Sequence, residues 1–340
     1  MSAPLPPNRP PAAQHRVGVV LLNLGTPDGT DYWSVRRYLG EFLSDPRVIE
    51  TPKWLWWPIL NLVILTVRPQ KAGHAYAQIW DKEKNESPLR VITRDQATAL
   101  AERLAGDGVM VDFAMRYGNP STRSVLEKMQ AAGCQRILLV PLYPQYSATT
   151  TATANDKAFE ALRRMRWQPA VRTAPAYYDD PKYVEVLGNS IRDGVAALDF
   201  EPDLVITSYH GLPQSYVDRG DPYEHHCHET TRLVRAYLGW PEDRLKVTFQ
   251  SRFGPSKWLE PATAETLQAL PAQGIRKVAV LAPTFSADCI ETLEELAMGG
   301  RETFIEAGGE KFAYIPCLNA SPAGMDMIEA MVRRELGGWV

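Results

Sequence analysis

The chain has 340 residues, 45% hydrophobic and 23% charged, with a formal net charge of −3. That is the composition of a globular protein with room for two domains of ordinary size. The near-balanced charge gives no reason to expect a nucleic-acid partner, which would need clustered Lys and Arg.

The first stretch, Met1 to Arg16, is rich in proline and lacks an apolar centre. It reads as a disordered tail, not as a secretory signal. An apolar run, Val17 to Asn23, follows as the first strand and leads into Asn23-Leu-Gly-Thr-Pro-Asp-Gly29. A dinucleotide fingerprint or a P-loop would lie here, and neither G-x-G-x-x-G nor G-x-x-x-x-G-K-[ST] is present. A nicotinamide or ATP enzyme is therefore disfavoured, and on its own the loop reads equally well as a simple Gly/Pro turn.

Residues 54–67 form the most apolar stretch, with Trp54, Trp56 and Trp57 near one end and Arg68 and Lys71 just beyond the other. It holds 14 residues, including Pro58 and Asn61, where a spanning helix needs about 20. It does not cross a membrane. Two readings stand: a buried helix or cavity wall, and an interfacial segment touching a membrane surface.

Further runs at Val109–Met115, Arg136–Leu142, Leu204–Ser208, Leu245–Phe249, Lys277–Ala282 and Lys311–Pro316 are rich in Val, Ile and Leu with little alternation. Strands of a parallel sheet, buried on both faces, read this way. Helical patterns fall between them at Thr93–Ala105, Ser121–Ala132, Pro181–Ala197, Glu224–Leu238, Ala262–Leu270 and Glu291–Gly299. The alternation predicts an α/β protein of two Rossmann-like, doubly wound domains, each with a mainly parallel sheet, facing across a cleft. The pattern divides near residues 170–180, giving domains at 17–172 and 173–322. A last helix in 323–340 either returns to the first domain or stays with the second. No sequence repeat relates the halves.

In open α/β sheets ligands sit beyond the carboxyl ends of the strands. His210 stands at such an end, in Ser208-Tyr-His-Gly-Leu-Pro213. Glycine after it lets the chain turn and a ligand approach. A histidine is mostly neutral near pH 7 and can accept a proton or bind a metal. The plain alternative is a structural histidine bonding a neighbouring backbone group. After the strand ending at Ala282, Asp288, Glu291 and Glu295 are spaced i, i+3, i+7 and would form one carboxylate stripe on a helix. Asp288 with Glu291 also reads as an N-cap and its partner, but capping does not explain Glu295. A stripe of acids running into a cleft suits the passage of a divalent cation.

The segment Glu224-His-His-Cys-His-Glu229 invites a metal reading. Four ligand types in a row cannot all face one way on a helix, so it reads better as a polar helix start. The four cysteines, Cys134, Cys227, Cys289 and Cys317, contain no C-x-x-C pair and suit reduced, cytosolic side chains.

Taken together and in order, these loops resemble the ferrochelatases from about Val17 to Leu336. The matching segments are Leu22-Asn-Leu-Gly-Thr-Pro27, Val35-Arg-Arg-Tyr-Leu39 with Phe42, Leu43 and Asp45, Arg116-Tyr117, and Tyr143-Pro-Gln-Tyr-Ser147. The second half adds Ser208–Pro213, Gly220-Asp-Pro-Tyr223, Phe249-Gln-Ser-Arg252 with Gly254-Pro255, and Asp288-x-x-Glu-Thr-Leu293. The resemblance implies a class II chelatase-like fold with a porphyrin wedged in the cleft. The substrates would be ferrous iron and protoporphyrin IX, and protohaem the product, in the terminal step of haem synthesis by a lyase. It places the family's histidine on His210 and its key glutamate on Glu291, as catalytic and metal-handling residues. It places Asp288 and Glu295 on the relay behind them. Leu24, Arg116, Tyr117 and Trp258 fall on porphyrin-contacting positions, and 54–67 on the lip of the pocket, which strengthens the membrane-surface reading. Some relatives carry a [2Fe-2S] cluster. Here Ala148 stands where one of its cysteines would be, and no cysteine tail follows, so the resemblance is to the bacterial type and no cofactor beyond the substrate iron is expected. The expected setting is the cytoplasm, with peripheral contact at the cytoplasmic face of the inner membrane.

Metal insertion must remove two pyrrole protons and strip water from the ion, without ATP or a redox cofactor. His210 would take those protons or direct the metal, with Glu291 as partner. Distorting the macrocycle out of plane would expose its lone pairs. Rival readings are a chelatase for coproporphyrin or another metal, and a non-catalytic porphyrin or haem carrier. The carrier would not need the acid stripe.

Overall fold

The computed structural model describes residues 16–254 and 256–340. The expected disordered tail lies outside the described residues except for Arg16, which opens the first strand.

In the first half, β1 (Arg16–Thr26) is followed by α1 (Tyr32–Leu43) and the lip. The lip runs as α2 (Lys53–Pro58), a π-helical turn (Ile59–Ile64) and α3 (Leu65–Ile79). Then come α4 (Pro88–Arg103), β2 (Met110–Gly118), α5 (Thr122–Ala131), β3 (Cys134–Pro141), α6 (Thr153–Arg163) and β4 (Ala170–Thr173). The second half holds α7 (Pro181–Ala196), β5 (Leu204–His210), α8 (Gln214–Asp218), α9 (Tyr223–Leu238), β6 (Leu245–Gln250), α10 (Thr263–Ala269) and β7 (Lys277–Leu281). It ends with a π-helix (Glu291–Gly300) continuing as α11 (Arg301–Glu306), β8 (Lys311–Tyr314) and α12 (Pro322–Glu335).

The strands form two four-stranded sheets, ordered β2-β1-β3-β4 and β6-β5-β7-β8. Every pairing between strands is parallel. The two halves therefore share one strand order without a shared sequence. In this order the crossover direction reverses beside β1 and beside β5, and that is where an open α/β sheet leaves a crevice. The central strands are buried along nearly their whole length, as their unbroken Val/Ile/Leu runs require.

Helix starts follow local chemistry. The Asp31 carboxylate accepts from the Trp33 and Ser34 amides at 3.0 Å and caps α1, and Ser321 caps α12 just before Pro322 at its first position. Gly25 is required by geometry: its φ is +110°, and an added Cβ would lie 1.8 Å from the Tyr117 carbonyl oxygen on the neighbouring strand.

One apolar cluster joins the halves, with Leu21, Leu100 and Leu138 from one side, Ile191, Val205 and Leu281 from the other, and Met325, Ile328 and Val332 of α12 between them. The last helix thus spans both. Arg103 of α4 bonds Asp326 at 2.6 Å, and Arg172 of β4 bonds the Glu335 carbonyl at 2.7 Å.

Three features depart from the sequence pattern. β4 falls inside the stretch read as the domain division; it is four residues long and pairs only with β3, too short for a periodic signal. Four helices, α1, α3, α6 and α8, are not among the predicted ones. The entry to α6 is a Thr/Ala run through a π-helical turn at Ala148–Ala152, and β-branched residues are weak helix formers. The segment after Ile290 is helical as expected, but as a π-helix with i→i+5 bonding rather than an α-helix.

Candidate active site

His210 is the last residue of β5, half-buried, and aligned with Gln250 at the end of β6. Its Nδ1 lies 2.7 Å from the Gly211 carbonyl oxygen. A carbonyl only accepts, so Nδ1 carries a hydrogen, and in the neutral ring it is Nε2 that holds the lone pair. The backbone bond foreseen as the plain alternative is present, and it leaves the second nitrogen available. The Phe285 ring meets the imidazole edge-on at 6.4 Å between centroids. Trp258 holds the turn from the other side: it pairs with Pro213 across an antiparallel bridge, and a Cβ on Gly211 would come within 3.2 Å of its ring. Its indole N–H is buried without a partner.

Glu291 opens the π-helix, and its charge acts on two tyrosines of the first half of the molecule. Burial pushes the Tyr76 phenol upward and the Glu291 charge pushes it further; burial, Tyr76 and Glu291 act in that order on Tyr38. Tyr38 comes from α1 and donates to the Gly25 carbonyl at 3.2 Å; Tyr76 comes from α3. The acid of one half thus acts on helix tyrosines of the other. Neither tyrosine has a signal in the sequence that marks it for a site, although Tyr38 stands in the quoted Val35–Leu39 motif.

Glu295 receives the Ser251 amide at 2.7 Å and the Ser251 hydroxyl at 2.6 Å. Glu294, outside the i, i+3, i+7 spacing, also belongs to this group of acids on the π-helix. Burial raises its carboxyl above the usual range, Glu295 and Glu291 add to the rise, and Lys71 of α3 opposes it. Asp288 stands apart. Its carboxylate is buried and accepts from Thr292 at 2.9 Å, Tyr314 at 2.7 Å and Asn319 at 2.7 Å. It ties the turn before the π-helix to the segment after β8. The three acids do not form one α-helical stripe, because Asp288 precedes the helix and the helix has another period.

In the first half, Leu24 lies half-buried at the end of β1, against the core beneath that sheet, and the next residue, Gly25, pairs with Tyr117. Arg116 and Tyr117 both engage Asp45. The guanidinium bonds the carboxylate directly, and the phenol donates to it at 2.7 Å. Arg116 also donates to Thr153 at 2.6 Å and lies 4.2 Å over the Tyr117 ring. Beside them opens a groove of about 660 Å³ walled by the 45–53 loop and α6. Arg116 and Tyr117 therefore brace the end of β2, and Arg116 lines this groove.

The histidine run of α9 diverges. His226 stacks on Tyr178 at 3.6 Å and accepts from the Tyr146 amide at 3.2 Å, while His228 meets Phe249 edge-on. Among the described residues, no three His, Cys, Asp or Glu side chains gather as a ready-made metal site. Cys134, Cys227 and Cys289 are buried, and Cys317 is half-buried beside Asp288.

A family model described as ferrochelatase matches residues 16–336. The chain is 59% identical over 332 residues to a protein named ferrochelatase from Mesorhizobium japonicum, covering 97% of this chain and 94% of that one. It is 57% identical to a ferrochelatase from Rhizobium meliloti, covering 97% and 98%. Among solved structures it is similar to SirB from Bacillus subtilis with Fe3+, with a TM-score of 0.56 and 11% identity over 95% of this chain and 96% of that one. It is also similar to the sirohydrochlorin chelatase SirB from Bacillus subtilis subspecies spizizenii in complex with cobalt, with a TM-score of 0.51 and 12% identity over 95% and 97%. At those identities the structures speak to the fold alone.

Proposed function

The chain belongs to the ferrochelatase family and is a lyase that inserts ferrous iron into protoporphyrin IX to give protohaem, and from that premise we propose that His210 and Glu291 are its catalytic pair. The observation that carries this is their placement. His210 ends β5 with its Nδ1 tied to the backbone, and Glu291 opens the helix that follows β7, near enough to Tyr76 and Tyr38 of the first half for its charge to act on them. The porphyrin lies in that cleft, with Leu24 and Trp258 against its faces and Arg116 and Tyr117 holding the end of β2 in place. His210 Nε2 takes a pyrrole proton or guides the iron, and Glu291 accepts the next proton or ligates the ion as its water leaves. Glu295 and Glu294 stand behind Glu291 as the relay. With its oxygens occupied, Asp288 serves that relay by fixing the turn. Protoporphyrin carries two propionates, and Arg68 and Lys71 on the exposed side of α3 are cations placed to meet them; Arg68 lies 4.3 Å over Phe253 and Lys71 acts on Glu294. No cofactor beyond the substrate iron enters this scheme.

Glu291→Gln keeps size and loses charge. It should lower kcat by about 10²-fold, in the range typical of a positioned acid or base, in a steady-state assay with ferrous iron and protoporphyrin IX. An unchanged rate would take Glu291 out of the chemistry.

The lip carries the reading of localisation: cytoplasmic, resting peripherally on the inner membrane. No helix among the described residues is long and apolar enough to cross a membrane. Yet Trp54 is 78% exposed, Trp57 64%, Leu62 72% and Val67 68%, side chains that normally seek burial. Each is worth about 1.5–3 kcal/mol on full burial. Replacing Trp54, Trp57 and Leu62 together by Ser should weaken binding to anionic phospholipid vesicles by at least about tenfold. Equal co-sedimentation of variant and parent would remove the lip from the membrane.

A further inference from the structure

We propose that Gln250, with Ser251, is a positioning element that sets the separation of His210 and Glu291. The inference rests on the assignment of those two as the reacting pair.

Gln250 is the last residue of β6 and 4% exposed. Its backbone carbonyl and both ends of its side-chain amide are used, and each points to one side of the site or the other. Its backbone carbonyl accepts from the Gly211 amide at 2.7 Å, next to His210. Its side-chain oxygen accepts from the Ser208 hydroxyl, two residues before His210, at 2.9 Å. Its side-chain nitrogen donates to the Glu291 carbonyl at 2.8 Å, and lies 3.4 Å from the Glu295 carboxylate. Ser208 is itself held by Thr263, and Thr263 by Thr248, in a buried hydroxyl chain. One residue therefore links the backbone next to the histidine to the backbone that carries the glutamate.

The π-helix needs such a link. Its i→i+5 bonding is rare and occurs mostly as single turns, whereas here it runs for ten residues. Fixing its first carbonyl from outside anchors the whole segment. Ser251 supplies a second anchor one turn on. Its φ of +61° is a left-handed conformation that costs a residue with a Cβ of order 1 kcal/mol or more. That conformation lets its amide and hydroxyl both reach Glu295, at 2.7 and 2.6 Å. Strain kept where a carboxylate is clamped points to a geometric duty at that carboxylate.

Two variants test this in steady-state assays of ferrous iron insertion into protoporphyrin IX. Gln250→Glu keeps the length and the acceptor for Ser208, removes the donor to Glu291, and sets a charge against Glu295. It should lower kcat by about 10–100-fold, the usual effect of losing such a support, with KM for the porphyrin within about twofold. Ser251→Gly removes the side chain with its hydroxyl, keeps the amide that reaches Glu295, and relieves the strained φ. Its thermal midpoint should not fall below that of the parent, yet kcat should drop by about tenfold. A general structural role would instead lower the midpoint, or raise KM in step with the loss of kcat, and either result overturns the proposal. So does a parental kcat in both variants. His210→Ala run alongside separates the two failures: if it is inactive while both variants are normal, only the positioning role falls, and if it too is active, the reacting pair falls with it.

Discussion

His210→Ala should abolish iron insertion while the protein still binds protoporphyrin IX. The expected loss in kcat is about 10²–10⁴-fold, the range for removing a well-placed acid or base. A residue that also guides the ion falls at the upper end. Porphyrin affinity should hold, because the pocket's apolar and aromatic walls are untouched and the histidine contributes one edge of the cleft. The Nδ1 bond to the Gly211 carbonyl, 2.7 Å long, is the reason to expect so large an effect. It holds the ring in one tautomer and one direction, so Nε2 meets the macrocycle without reorganising. The two measurements are turnover with ferrous iron and quenching of protein fluorescence by porphyrin. Turnover within a few-fold of the parent would end the assignment. Loss of porphyrin binding would move His210 from the chemistry to the pocket.

Much of this was legible in the sequence, for identifiable reasons. Strands buried on both faces write unbroken apolar runs, so seven of the strand positions could be read directly, while β4, four residues at a sheet edge, could not. His210 was visible because a strand end followed by glycine is where α/β sheets put ligands. The acids were visible as residues but not as an arrangement. Spacing assumes an α-helical period, but Asp288 precedes the helix, the π-helix has another period, and Glu294, outside the spacing, belongs to the group. Tyr38, Tyr76 and Gln250 were not legible as site residues, because each acts through a partner from a distant part of the chain: Glu291 for the tyrosines, His210 and Glu291 for the glutamine. Arg116 and Tyr117 stood out as a pair, but their common partner, Asp45, lies 71 and 72 residues away and emerges only from the fold.

That partner carries the largest expected effect on stability. Asp45→Asn should destabilise the folded chain by about 3 kcal/mol, since removing the close member of a buried ion pair leaves Arg116 only the half-exposed Glu41 at 3.9 Å. The Asp45 side chain is 3% exposed and that of Arg116 10%, so water cannot stand in for the lost charge. Burial raises the Asp45 carboxyl, but hydrogen bonds from Thr153, the Arg47 amide and Tyr117, with the Arg116 charge, outweigh it and hold the group below its usual range. The sign of the pH dependence follows. A carboxyl depressed in the folded state adds stability above its unfolded value, about 3.9, and loses it as pH falls through the lower folded value. The stability difference between parent and Asp45→Asn should therefore be constant from neutral pH down to about 5 and shrink below about 4. Urea unfolding at a series of pH values, read at constant m, measures it. A gap that persists unchanged into strong acid would mean the carboxylate charge is not what Arg116 needs. A gap under about 1 kcal/mol at neutral pH would put the pair among those that solvent compensates, and Arg116 would then be free to turn toward the groove that it lines.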